Sequence, residues 1–141
     1  MRIHIVEEDP SLLNLLSLYL KQKGHDVYGH LIQHQCPSRS GSAQSCIENS
    51  ACAEAVILNV RYPNKPSIDG LVAQTQKGCK IVKKNMAIMS PIMTEEQAMT
   101  LEKNGYSVLT KPFRLSAIDK WLNSCALRLQ NRPVETCPKD V

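Results

Sequence analysis

Apolar and polar positions alternate in blocks along this chain. Arg2–Val6, RIHIV, carries its apolar character on Ile3, Ile5 and Val6 and predicts a short buried strand. Asp9 and Pro10 then stand as N-cap and first helical residue, an ordinary helix start. The helix is expected to run to about Lys23. Leu12, Leu13, Leu16 and Leu20 form one face, widened by Leu15 and Tyr19, and Gly24 is the natural stop. A second strand is predicted over Asp26–Tyr28. Residues 33–45, rich in Ser, Gln and Gly, read as a long loop leading into a short helix near Ala43–Asn49.

The second half repeats the alternation. Ala55-Val56-Ile57-Leu58 is an unbroken apolar run, the mark of a strand covered on both faces. A proline-flanked loop follows at Arg61–Lys65, then a helix expected over Asp69–Lys77. Met86–Met89 is a fourth strand. Thr94 with Gln97 predicts a capping box, and Gly105 ends that helix. Val108–Thr110 is a fifth strand. Ile118, Trp121, Leu122, Cys125 and Leu129 then follow helical spacing. Five strands alternating with about five helices predict a doubly wound, all-parallel α/β sheet with helices on both faces. The domain is expected over residues 1–128, with a C-terminal tail at 129–141 whose two prolines predict fraying.

Composition narrows the functional classes. The 141 residues suit one domain with a real core, and 43% hydrophobic with 21% charged residues is globular in type. A net charge of +4 lacks the dense basic stripe of a dedicated nucleic-acid binder. No apolar stretch approaches the roughly 20 residues of a membrane span. The N-terminus has no long apolar region of a secretory signal, so a cytoplasmic place is expected. Cys36, Cys46, Cys52, Cys79, Cys125 and Cys137 show no CxxC and no repeated spacing, so reduced thiols are expected. His30, His34 and Cys36 form a loose metal-ligand candidate without a matching fourth ligand.

In a doubly wound sheet, ligands collect beyond the C-terminal ends of the strands at the switch in strand order. That rule selects Glu7, Glu8 and Asp9 after the first strand, Asn59 after the third, Ser90 after the fourth and Lys111 after the fifth. Neither a P-loop, nor HExxH, nor a Ser-His-Asp order occurs, so the chain is not expected to be an enzyme.

The segments IVEEDPSLLNLLSLYLKQKGHDV, AVILNVRYP, AIMS and LTKPF, in this order, resemble the receiver domain of bacterial response regulators. The resemblance spans about residues 1–128. It implies a flavodoxin-like five-stranded sheet of order 2-1-3-4-5. It also implies that Glu7 and Glu8 stand where an acidic pair holds Mg²⁺, and that Asn59 stands where an aspartate accepts a phosphoryl group. Ser90 and Lys111 would be the phosphate-contact positions, and Pro112 follows the lysine at a peptide bond often cis in the family. The partners implied are a histidine kinase or a downstream signalling protein.

The sequence departs from that pattern at the acceptor. Phosphoryl transfer to protein needs a nucleophilic oxygen. The neutral carboxamide of Asn59 is a poor nucleophile and cannot form an acyl phosphate. Asn59 can still offer a carbonyl oxygen to a metal, but without charge, so Glu7, Glu8 and Asn59 make at best a weak Mg²⁺ site and no cofactor is required. Glu8 would have to fold back to reach such an ion. Glu7 and Glu8 can alternatively serve the dipole of the first helix, and Lys111 can serve as their ion-pair partner. The position that often holds a switching aromatic residue in the family is Val108; Tyr106, two residues earlier, is not its equivalent. The loop from Pro63 to Gly70 is longer than the pattern.

The expected function is therefore that of a stand-alone, phosphorylation-independent protein-interaction module (a pseudo-receiver), working through its fourth helix, fifth strand and fifth helix. No DNA-binding domain is expected after the receiver region, and neither nucleic acid nor membrane is an expected partner. Two alternatives remain. One is a phosphorelay receiver using Glu8 as acceptor. The other is a flavodoxin-like small-ligand binder, against which stands the acidic EEDP where a phosphate-cradling loop would be needed.

Overall fold

The computed structural model describes residues 1–30, 53–59, 81–90, 93–110 and 114–131. Five strands make one sheet: β1 (Arg2–Val6), β2 (Asp26–His30), β3 (Ala55–Asn59), β4 (Met86–Ser90) and β5 (Ser107–Thr110). All neighbours are parallel, and the order is β2-β1-β3-β4-β5, as expected. Three α-helices are described: α1 (Pro10–Gln22), α2 (Glu95–Lys103) and α3 (Leu115–Gln130). The helices expected near Ala43–Asn49 and over Asp69–Lys77 lie outside the described residues, as does the tail after Arg132. The last helix runs to Gln130 and contains Leu129, as its spacing predicted.

Strand alternation divides the core in two. On one face Ile3, Ile5, Ala55, Ile57, Ala87 and Met89 pack against Leu16 and Leu20 of α1 and Ile118, Trp121, Leu122 and Cys125 of α3. On the other face Val6, Val56, Leu58, Met86 and Ile88 pack with Leu101 of α2 and Tyr106. All five residues of β3 and all five of β4 are buried, which is why both segments are apolar without a polar alternation. Burying each large aliphatic side chain here contributes about 1.5–3 kcal/mol.

Helix ends follow the local chemistry. Asp9 accepts hydrogen bonds from the backbone of Ser11 and Leu12, and Pro10 opens α1. Thr94 and Gln97 close the capping box reciprocally at α2. At the C-termini, Gly24 (φ 88°) and Gly105 (φ 98°) take the left-handed conformation that an L side chain resists. There His25 N–H donates to Leu20 O at 3.2 Å, and Tyr106 N–H donates to Leu101 O at 3.1 Å. The second bond also delivers the Tyr106 ring into the core beside Leu101.

One expectation fails in α1. Leu15 does not widen the buried face; it is 55% exposed. Each residue turns the helix by about 100°, so Leu15 lies on the flank of the stripe centred on Leu16 and Leu20. Tyr19 and Leu12, on the stripe itself, pack against the core as expected.

Candidate functional site

The C-terminal ends of β1, β3 and β4 bring Glu7, Asn59 and Ser90 to one edge of the sheet. Register makes this placement strict: Val6 pairs with Leu58, Asn59 with Met89, and Ser90 with Thr110. All three side chains are buried, at 4%, 5% and 4% exposure. Three buried polar side chains at the ends of three central strands set this edge apart from the otherwise apolar sheet.

Glu7 is held from both neighbouring elements. Its backbone N–H donates to His30 O at 2.9 Å, which extends the β1–β2 ladder by one residue. Its Oε1 accepts the Asp9 N–H at 3.0 Å, so Glu7 orders the residue that caps α1. Glu7 therefore serves the start of α1 through the cap residue rather than from within the helix, whose first turn has no acidic residue. The second oxygen, Oε2, is buried and has no hydrogen-bond partner among the described residues. A buried carboxylate oxygen in that condition is costly and chemically suited to a cation or a strong donor. Glu8 differs from its neighbour in being solvent-exposed.

Lys111 and Pro112 lie outside the described residues. Val108 is half-buried beside the second core cluster, whereas Tyr106 is fully inside it. Of the loose metal candidate, His30 is described and His34 and Cys36 are not. Cys125 is buried and free, which agrees with a reduced thiol at that position. Among the described residues no three His, Cys, Asp or Glu side chains gather as a metal site. No helix among them is long and apolar enough to cross a membrane.

A pairing that the sequence pattern did not suggest joins β1 to β2. His4 Nδ1 and His30 Nε2 are 3.2 Å apart, and the two rings are stacked with centroids at 5.2 Å. Tyr28 also packs against His4, with ring centroids 5.2 Å apart at a tilt of 35°. Burial, then the nearby His30 and Arg2, holds the His4 imidazole below the usual histidine range. The even spacing of His4, Tyr28 and His30 on neighbouring strands was the available signal, but it becomes a contact only once β1 and β2 pair in this register.

Comparison with family models and with curated proteins returned no match. Solved structures do match. The chain is similar to a response regulator receiver domain protein from Clostridium thermocellum, with a TM-score of 0.68 at 16% identity over 92% of this chain and 96% of that one. It is similar to the non-phosphorylated HemR receiver domain from Leptospira biflexa, with a TM-score of 0.63 at 18% identity over 88% and 92%. This is the receiver-domain fold. A third match is the signal receiver domain of a Luxo repressor protein from Vibrio parahaemolyticus, with a TM-score of 0.62 at 19% identity over 94% and 98%. Identities this low establish the architecture, and the expected flavodoxin-like order of strands is part of it.

Proposed function

We propose that this chain is a receiver-type signalling module that acts through protein contacts and is not switched by aspartyl phosphorylation. The observation that carries the proposal is Asn59. It ends the central strand β3, is buried, and shares its edge of the sheet with Glu7 and Ser90. In the receiver fold that is the acceptor position, and a neutral carboxamide there offers no nucleophile for an acyl phosphate. Val108 on β5, in place of an aromatic residue, removes the second half of the family's switch.

Mg²⁺ is a hard cation that takes oxygen ligands. Glu7 Oε2 and the Asn59 carbonyl fit such an ion in kind, and when bound it would neutralise the buried carboxylate. With Asn59 uncharged and Glu8 turned to solvent, the proposed site is weak, and no cofactor is required for the interaction role. The proposed partners are a histidine kinase or a downstream signalling protein in the cytoplasm. The proposed docking face is that of α2, β5 and α3. The role is not enzymatic.

The test is intact mass after incubation with acetyl phosphate and Mg²⁺, for the native chain and for Asn59→Asp. A phosphoryl mass on the variant alone supports an otherwise complete pocket disabled at one residue. A phosphoryl mass on the native chain overturns the proposal and favours another acceptor, of which the exposed Glu8 is the first to examine. No adduct on either chain shows that the pocket has diverged beyond Asn59, and the interaction role then rests on partner binding alone.

A further inference from the structure

We propose that His4 and His30 form a two-nitrogen site for a borderline divalent metal ion such as Zn²⁺, bridging strands β1 and β2. The inference stands independently of the signalling role. His4 Nδ1 and His30 Nε2 are separated by 3.2 Å. Zinc binds imidazole nitrogen at about 2.0–2.1 Å in tetrahedral geometry, which sets two ligand nitrogens about 3.3 Å apart. The pair thus already has the bite of a zinc site. Backbone pairing holds it there: β1 and β2 are in register from Arg2↔Asp26 to Val6↔His30, so His4 and His30 sit diagonally on the same side of the sheet.

The chemistry of the two rings suits the role. Metal binds neutral imidazole, and the burial that lowers the proton affinity of His4 keeps its ring neutral near pH 7. In the metal-free pair one ring donates the bridging N–H and the other accepts. On binding, that proton leaves the bridging nitrogen through solvent and the same ring is protonated on its other nitrogen. His4 then carries its proton on Nε2 and His30 on Nδ1, and no net proton is released. Both rings are half-buried, which leaves a side open for water ligands. Tyr28 packed against His4 at a tilt of 35° restricts that ring's rotation.

The site also adjoins the acidic edge. His30 O accepts the Glu7 N–H at 2.9 Å. A metal that pins His30 to His4 therefore also steadies the backbone of Glu7.

The full chain, labelled with ¹⁵N, would be titrated with Zn²⁺ while long-range ¹H–¹⁵N spectra of the imidazoles are recorded. The expected result is that His4 Nδ1 and His30 Nε2 both move to metal-bound shifts and saturate at one ion per chain. Calorimetry with His4→Gln and with His30→Gln should show binding weakened by at least about tenfold, a loss that even outer partners of a metal site can cause. Zn²⁺ binding that moves only other imidazoles or thiols, or no binding at all, overturns the proposal. The native-chain spectra decide the matter even if a variant fails to fold.

Discussion

Asn85 offers the sharpest energetic prediction. It lies at the end of a 3₁₀ turn (Lys83–Asn85) just before β4 and is completely buried. Its Nδ2 donates to Glu54 O at 3.0 Å and more weakly to Cys125 O at 3.5 Å, and its Oδ1 accepts from Arg128 Nε at 2.6 Å. One amide therefore ties the start of β4 to the residue before β3 and to α3. Asn85→Ala removes all three bonds. The bond to Glu54 is worth about 1 kcal/mol. The charge-assisted bond to Arg128 would be worth about 1.5–3 kcal/mol in isolation. Arg128 is half-exposed and keeps its bond to Lys84 O at 3.1 Å, so water recovers part of that loss. The 3.5 Å contact adds little. The expected cost is about 2–3 kcal/mol, or a fall in Tm of roughly 6–9 °C for a chain of this size. Urea unfolding followed by circular dichroism should show a lower midpoint with unchanged slope. In a double-mutant cycle with Arg128→Ala the two losses should be less than additive by about 1 kcal/mol, because they share one bond. A cost below about 1 kcal/mol for Asn85→Ala, or full additivity, would refute this account of the junction.

Two further predictions concern titratable groups. Burial pushes the Cys125 thiol up to about 11, with Arg128 only partly opposing it; at pH 8 about one thiol in a thousand is ionised. Iodoacetamide should therefore label Cys125 far more slowly in the native chain than in urea, read by peptide mass, and equal rates would contradict the packing. His4 and His25 are both held below the usual histidine value near 6.5, chiefly by burial. The unfolded chain then takes up more protons than the folded one as the pH falls through about 6.5. Their contribution is intact above that pH and is lost toward the lower folded values. The urea midpoint should drop between pH 7.5 and pH 5.5, and His4→Gln with His25→Gln should flatten the drop; a flat native profile would exclude the effect.

Local patterns in the chain determine a large part of this protein. Asp9-Pro10, the Thr94–Gln97 pair, Gly24 and Gly105 mark helix ends through bonds made within a few residues, so they can be read without knowing the fold. The unbroken runs at Ala55–Leu58 and Met86–Met89 are apolar because each strand is covered on both faces. From that alternation the parallel sheet follows, and with it the edge where Glu7, Asn59 and Ser90 meet. The identity of Asn59 at the end of β3 is likewise a property of the sequence. Tertiary structure decided what depends on contacts between distant segments. The exposure of Leu15 depends on how α1 rolls against the sheet, since the periodic pattern admits a wider stripe than the sheet covers. Glu7 is buried and Glu8 exposed because the Glu7 N–H still bonds to His30 O just past the end of β1, after which the chain turns into α1. His4 meets His30 only through the β1–β2 register, and Asn85 meets Arg128 only when α3 packs beside β4. Those pairs are separated by 26 and 43 residues, so no local signal announces them and only the closed fold brings them within hydrogen-bond reach.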